Sequence, residues 1–274
     1  MILNTGSRTD IPAYFSDWFY KRIEEGYVMV RNPYYPEQVT RYVLNPSVVD
    51  VLVFCTKNPQ PMISRLERLS TYDMFWFVTI TPYGREIEPF VPPKEKVIES
   101  FRQLSEMTGR EKMSWRYDPV FITEKYSVDY HIACFAEMTE KLRGYTGQCV
   151  VSFLDLYEKT KRNFREARGG TRDKQERIIE AFAGIAEANG MQVPKKKTAR
   201  EACSCLLGAD IGVYNTCGHG CLYCYANYDR KSVEENRKRH DVNSPLLIGH
   251  LKETDHVKEA QQKSFKDAQM RLFL

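Results

Sequence analysis

The sequence of 274 residues lacks any apolar run long enough to cross a membrane. Its apolar runs, such as "VVDVLVFC" and "MFWFVTIT", have the length of strands, whereas a membrane helix needs about twenty apolar residues. The amino terminus, "MILNTGSRTD", also lacks the basic stretch, long apolar core and small-residue cleavage site of a secretory signal. We therefore expect a cytoplasmic protein that makes no membrane contact.

Cysteine is scarce, and neither sign of charge dominates. The chain has eight cysteines and a formal net charge of +4, which neither requires nor excludes a polyanionic partner. The basic stretch "KTKRNFREARGGTRDKQER" is interleaved with acidic residues, which favours a solvated helix face over nucleic-acid binding. In a reducing cytoplasm, clustered thiols indicate metal ligation or catalysis more than disulfides.

Internal repeats and low-complexity linkers are also absent, and what is present is an alternation of strand and helix patterns. Apolar runs bounded by turn residues alternate with amphipathic helices, which is typical of a parallel sheet covered by helices. The pattern predicts one α/β domain over residues 1–274, a partial or full (β/α) TIM-like barrel. Helices are predicted within residues 231–274, the last from about Asp255 to Leu272.

Three cysteines lie in one short loop, "YNTCGHGCLYCYAN", with the spacing CxxxCxxC. Glycines at 218 and 220 permit positive backbone angles, so the sulfurs of Cys217, Cys221 and Cys224 can turn toward one centre. Thiolates favour iron-sulfur clusters or zinc, but structural zinc takes four protein ligands. Three cysteines suit a 4Fe-4S cluster with one open iron, so residues 200–230 are the candidate cluster-binding segment. A ligand with an amino and a carboxylate group, such as S-adenosylmethionine, can chelate that iron.

The loop "CGHGCLYCYAN" resembles the cluster loop of radical S-adenosylmethionine (radical SAM) enzymes, including the aromatic residue before the third cysteine, here Tyr223. The resemblance implies that Tyr223 lies against the adenine of the cofactor. It also implies reductive cleavage of S-adenosylmethionine to a 5′-deoxyadenosyl radical, which abstracts hydrogen from a substrate.

Two further resemblances extend over more of the chain. The run from "VLVFCTKNP" through "EPFVPP" to "SWRYDPV" is similar to the barrel section of spore photoproduct lyase-like members. As a whole, "SRTDIP", "TKNP", "RYDP" and "DIGVYNTC" resemble an uncharacterised bacterial and archaeal family with such cysteines at its carboxy terminus.

The cysteine loop lies late in the chain, whereas radical SAM enzymes place it after the first barrel strand. A circular permutation accounts for this difference: "DIGVYNT" corresponds to the family's first strand and "ILNTGSRTD" to its second. By this resemblance "GSRTD", with Ser7 and Arg8, takes the place of the segment that holds the methionyl amino group. The glycine-glycine-glutamate signature of that segment is absent.

Polar residues follow several other predicted strands, where (β/α) barrels carry their sites. Lys57 can neutralise a carboxylate of the cofactor or substrate. Arg116 and Asp118 can hydrogen-bond ribose hydroxyls or a substrate head group, and Arg8 and Asp10 can do the same. An ion pair at the barrel mouth is the alternative for these last four residues.

Other thiols and one histidine have two interpretations each. If "EACSC" is a strand, the side chains of Cys203 and Cys205 point the same way. They then act either as a catalytic hydrogen-donor or redox pair or as ligands of a second metal centre. Ordinary packing is the alternative. Cys55, directly before "TKNP", is either a buried structural cysteine or a residue that faces the cavity. His219 either hydrogen-bonds a cluster sulfide or fills the exposed side of the loop.

The sequence thus predicts a radical SAM enzyme that acts on a small molecule, peptide or nucleotide and takes electrons from a reductant such as flavodoxin or ferredoxin. Two other functions stay open. One is a non-catalytic iron-sulfur protein that transfers electrons or senses redox state, and the other is a zinc-stabilised binding module.

Overall fold

The computed structural model describes residues 1–155, 158–166, 168–191 and 208–266. The strands of these residues are β1 (Ile2–Asn4), β2 (Tyr27–Arg31), β3 (Gln38–Val43), β4 (Val51–Thr56), β5 (Met74–Thr79), β6 (Met113–Val120), β7 (Cys149–Phe153), β8 (Ala209–Asp210) and β9 (His256–Glu259). Six of them form a parallel sheet in the spatial order β7-β6-β5-β4-β1-β8. The other three form a smaller sheet in the order β2-β3-β9.

Helices alternate with the strands of the large sheet. They are α1 (Ile11–Tyr14), α2 (Ser16–Glu25), α3 (Gln60–Ile63), α4 (Lys94–Thr108), α5 (Val128–Lys141), α6 (Glu158–Asn163), α7 (Arg172–Ala188) and α8 (Arg230–Lys238). Local chemistry sets several of their ends. Gly26 ends α2 at a φ of 76°, and the Ser127 side chain caps α5 by accepting a hydrogen bond from the Tyr130 amide.

The predicted α/β class is confirmed, as a parallel sheet flanked by helices. The sheet is open among the described residues, because β7 and β8 lie at its two edges and no pairing joins them. The closed form of the predicted barrel is therefore not observed. Strand β8 lies beside β1 in parallel, with Asp210 opposite Asn4, so the late segment that precedes the cysteine loop pairs with the first strand of the chain.

Stacked aromatic rings fill the space between the sheet and its helices. Trp76 of β5 stacks on Phe54 of β4 with ring centroids 4.1 Å apart. On the neighbouring part of the sheet, Phe135 of α5 stacks on Trp115 at 4.8 Å and on Phe182 of α7 at 3.7 Å. All five rings are buried, so the core fixes the strand ends on which the polar side chains lie.

The carboxy-terminal segment differs from the prediction. A helix predicted from about Asp255 is wrong at its start, because His256–Glu259 forms β9, which pairs in parallel with β3. The carboxylate of Asp255 binds the Arg31 guanidinium, which fixes the chain at the sheet edge. Tertiary pairing thus overrides the helical spacing of the apolar residues. The earlier of the helices predicted within residues 231–274 is confirmed as α8, and residues 267–274 lie outside the described residues.

Within the described residues, no helix has both the length and the apolar content that crossing a bilayer requires.

We predict that Phe135→Ala lowers the free energy of unfolding by about 3–5 kcal/mol, because it leaves a cavity between two stacked rings. Urea unfolding followed by far-UV circular dichroism measures the change. Phe265→Ala is the matched control, since that ring is 69% exposed, and its effect should stay within about 0.5 kcal/mol. Equal effects for the two variants would contradict the assignment of Phe135 to the core.

Candidate functional site

A cavity of about 290 Å³ lies where the carboxyl ends of β1, β4, β6 and β7 meet the cysteine loop. Its polar and thiol lining includes Ser7, Thr9, Asp10, Cys55, Lys57, Arg116, Asp118, Ser152, Asp155, Cys217, His219, Cys221, Tyr223 and Cys224. Parallel strands bring their carboxyl ends to one edge, which is why residues distant in sequence collect here. The predicted meeting of Ser7, Lys57, Arg116, Asp118 and Tyr223 with the three cysteines is therefore observed.

The loop of the three cysteines is held in shape by local hydrogen bonds. The amide of Asn215, whose φ is 57°, donates to the Ala226 carbonyl at 3.0 Å and closes the base of the loop. Asparagine is one of the few residues other than glycine that tolerates this left-handed backbone. The Cys224 amide donates to the Cys221 carbonyl at 3.1 Å, which forms the turn between the second and third thiols.

The two glycines of the loop have different roles. Gly220 has a φ of 67°, as predicted for a tight loop. Gly218 does not have a positive φ and is required for another reason. A Cβ atom there would lie 2.3 Å from the Arg237 guanidinium and 2.8 Å from the Tyr14 ring, so only glycine fits at this position.

Burial sets the titration of the cavity thiols. It raises the pKa of Cys217 well above the ordinary value and that of Cys221 to about 12, while Lys57 acts in the opposite direction on Cys221. Cys224 also raises the pKa of both Cys217 and Cys221, as a neighbouring group of the same charge does. Burial therefore favours the neutral thiol of Cys217 and of Cys221 at pH 7 unless a cation stabilises the thiolate. Within the described ranges, no group of three or more His, Cys, Asp or Glu side chains is placed so that it could hold a metal ion.

His219 is buried, which contradicts the prediction that it fills an exposed side of the loop. Its Nε2 lies 2.8 Å from Asp10 Oδ2, and its Nδ1 lies 3.0 Å from the Tyr14 hydroxyl. The same Asp10 oxygen accepts a hydrogen bond from the Lys57 amide at 2.8 Å. Asp10 therefore joins the cysteine loop to the end of β4, and it is a structural anchor more than a free ligand for a ribose.

Glu88 is the main charged residue that sequence reasoning missed. Its carboxylate is buried and lies 2.8 Å from Lys57 Nζ and 2.6 Å from Lys94 Nζ. The hydroxyls of Thr81 and Tyr223 also donate to it. Burial by itself would raise the pKa of Glu88, but the two lysines outweigh burial and lower it to about 2. Its position in the "EPFVPP" segment was the only available signal.

Lys57 and Tyr223 are linked through this carboxylate. The Lys57 ammonium also lies 5.6 Å from the centroid of the Tyr223 ring, and burial of the tyrosine raises its pKa well above the ordinary value. Both side chains line the cavity. Backbone bonds from Leu222 to Ile87 and from Phe90 to His219 attach the cysteine loop to the same Glu88 segment.

A second polar group lies on β6 and β7. The Arg116 guanidinium pairs with the Asp118 carboxylate, which also accepts a hydrogen bond from the Ser152 hydroxyl. Cys55 lines the cavity beside them, and its pKa is raised to about 11 by burial. Gly6 allows this approach, because a Cβ atom there would lie 2.4 Å from the Cys55 Cβ.

Of the remaining predicted site residues, one lies elsewhere and two are outside the described part of the chain. Arg8 does not line it, because its Nε pairs with Asp210 Oδ1 at 3.0 Å and its side chain lies along a second cavity. The predicted hydrogen-donor pair, Cys203 and Cys205, lies outside the described residues.

Comparison with known proteins identifies the family of the chain. A family model described as "Domain of unknown function (DUF1848)" matches residues 2–195 and 192–226, so the chain belongs to that family. No curated protein and no solved structure matches the chain.

We predict that Glu88→Gln lowers the free energy of unfolding by roughly 3 kcal/mol at neutral pH, because Lys57 and Lys94 lose their buried counter-charge. The folded-state pKa of Glu88 is lowered to about 2, so its contribution is complete above the unfolded pKa of about 4.3 and is lost as pH falls toward 2.

Urea unfolding of the variant and of the unchanged chain, from neutral pH to about pH 3, measures the difference in their free energies of unfolding. This difference should fall by about half over that range. Glu99→Gln, on the exposed face of α4, is the control and should show no such trend. If the loss of unfolding free energy in Glu88→Gln did not change with pH, the charge pairing of Glu88 would be contradicted.

Proposed function

We propose that the chain is a radical SAM enzyme in which Cys217, Cys221 and Cys224 hold a 4Fe-4S cluster whose fourth iron binds S-adenosylmethionine. The observation that carries the proposal is the placement of three thiols in one cavity with Lys57, Arg116 and Asp118, at the carboxyl ends of a parallel sheet. The cavity therefore combines soft metal ligands with charged groups that can bind a small zwitterion.

The donor set fits a 4Fe-4S cluster in ligand type. A 4Fe-4S cluster binds each cysteine through a different iron, so its ligands surround a cluster and do not converge on one atom. Cys217, Cys221 and Cys224 line one cavity, and their thiolates are soft ligands suited to iron. The hydroxyl of Thr9, which also lines the cavity, is buried and has no hydrogen-bond partner among the described residues. It is available to a bound group.

The cavity also offers groups suited to each part of S-adenosylmethionine. Lys57 supplies a positive charge for the carboxylate, and Ser7 lies at the end of β1, where the resemblance puts the methionyl amino group. Arg116 and Asp118 supply a donor and an acceptor for the ribose or for the substrate. Tyr223 presents an aromatic ring in the same cavity, with its hydroxyl occupied by Glu88.

When bound, the cluster and the cofactor supply one-electron cleavage of the sulfonium to a 5′-deoxyadenosyl radical, with the electron drawn from a reductant such as flavodoxin or ferredoxin. The protein's part is to bind, orient and exclude water. Glu88 holds Lys57 and Tyr223 in fixed positions, and Asp10 holds His219 in the cysteine loop. Phe153 and Leu154 add apolar lining to the cavity.

The order of the strands supports the permuted (β/α) barrel as the architecture. The cysteine loop follows β8, β8 pairs with β1, and the sheet continues from β1 through β4, β5 and β6 to β7. If this chain is read from β8, its order of strand, cysteine loop and next strand is the order found in radical SAM enzymes. The six strands then correspond to a partial barrel.

We predict that anaerobic reconstitution of the full chain gives about four iron and four sulfide per chain. Cys217→Ser, Cys221→Ser and Cys224→Ser should each lose most of this cluster, because each removes one of three ligands. Cys134→Ser is the control, since Cys134 lies on α5 outside the cavity, and it should keep the cluster. Iron and sulfide analysis with electron paramagnetic resonance of the reduced protein measures the outcome.

The same preparation, given S-adenosylmethionine and dithionite, should release 5′-deoxyadenosine slowly. Cluster formation without any response to S-adenosylmethionine would instead indicate an electron-transfer or redox-sensing protein. A colourless chain that holds stoichiometric zinc would indicate a binding module. Either result would overturn the proposed function.

A further inference from the structure

A second cavity, of about 970 Å³, lies between the small sheet, the turn before the cysteine loop and the chain that follows α8. Tyr225 lines both cavities, whereas no cysteine is among the described residues that line the second. The volume falls in the range of small-molecule pockets, about 300–1,000 Å³. Nothing in the proposed radical chemistry uses this space.

The charge of the second cavity has one sign. Three arginines line it, Arg8, Arg31 and Arg239, and among its described lining residues there is no Asp or Glu. This differs from the first cavity, where Asp10, Asp118 and Asp155 accompany the cations. A concave surface with arginine and no carboxylate attracts anions.

Two of these arginines are held in place from outside the cavity. Arg8 pairs with Asp210, and Arg31 pairs with Asp255, whose carboxylate side chain is only 2% exposed. Their carboxylate partners do not line the cavity. These pairs fix the guanidinium groups, but they also neutralise most of their charge.

Arg239 provides the uncompensated charge. It follows the last turn of α8 and is exposed, and within the described part of the chain its side chain forms no ion pair. Guanidinium groups bind phosphate oxygens in a two-pronged geometry, which makes this residue suited to a phosphate group.

Aromatic rings line the same cavity as the arginines, and the Arg8 guanidinium lies 5.9 Å from the centroid of the Tyr214 ring. Tyr34 lines the cavity and is 82% exposed, which is unusual for so large a ring, and Tyr214 lines it from the turn before the cysteines. Ile211, Leu246 and Leu247 form a buried apolar floor. An exposed ring next to a cationic group provides a stacking surface for a flat base and a contact for its phosphate.

We propose that the second cavity binds a nucleotide, either free or as one unit of a nucleic-acid strand, with Arg239 on the phosphate and Tyr34 stacked on the base. The site does not depend on the cluster, so it can be tested in protein that carries no iron. It would stand even if the proposed radical chemistry failed.

The test uses the full-length chain at low salt with two probes, thymidine 5′-monophosphate followed by calorimetry and a fluorescein-labelled oligothymidylate followed by anisotropy. Arg239→Gln and Tyr34→Ala should each weaken binding by at least about fivefold. Matched controls are Tyr35→Ala, a neighbouring exposed ring that does not line the cavity, and Arg172→Gln, an exposed arginine of the basic segment. Both controls should bind like the unchanged chain.

The probes distinguish the source of the ligand. Binding of both probes with this pattern of variants supports a free nucleotide, and binding of the oligonucleotide alone with the same pattern supports a strand. Absence of binding by both probes would overturn the proposal. So would loss of binding in Arg172→Gln while Arg239→Gln binds normally, because the basic segment would then be the site.

Discussion

A single buried carboxylate, that of Asp10, joins three of the segments that line the candidate site. It accepts hydrogen bonds from the Ala13 amide at the start of α1, from the Lys57 amide after β4 and from His219 in the cysteine loop. The pairing of β8 with β1 brings the late part of the chain into range of Asp10. Through these hydrogen bonds, Asp10 holds the cysteine loop against the strand ends that line the cavity.

Charge balance is the second constraint on the same place. The Glu88 carboxylate lies between two ammonium groups and also accepts from Thr81 and Tyr223, which satisfies a charge that would be costly to bury alone. One lysine of this group, Lys57, lines the cavity, while Lys94 does not. The cavity thus has a fixed cation beside neutral thiols, an arrangement suited to a cofactor that carries a carboxylate and a metal cluster that stabilises thiolates.

Much of the fold was predictable, because strand-length apolar runs and helical spacing are local signals. The apolar runs "VVDVLVFC" and "MFWFVTIT" form β4 and β5, as their length predicts, and helices alternate with the strands of the large sheet. The strand at His256–Glu259 was not predictable, since it depends on an edge of β3 more than two hundred residues earlier in the chain. The site shows the same division. CxxxCxxC and the polar strand ends are visible in the sequence, whereas Glu88 and the burial of His219 arise only from long-range contacts.

The central claim is that the three thiols hold a cluster with an iron open to S-adenosylmethionine, and electron-nuclear double resonance tests it most directly. The reconstituted, reduced chain would be frozen with S-adenosylmethionine that carries ¹⁷O in its carboxylate and ¹⁵N in its amino group. The account predicts hyperfine coupling of both nuclei to the cluster spin, which disappears when unlabelled cofactor is used. A cluster spectrum without coupling to either nucleus would contradict the account.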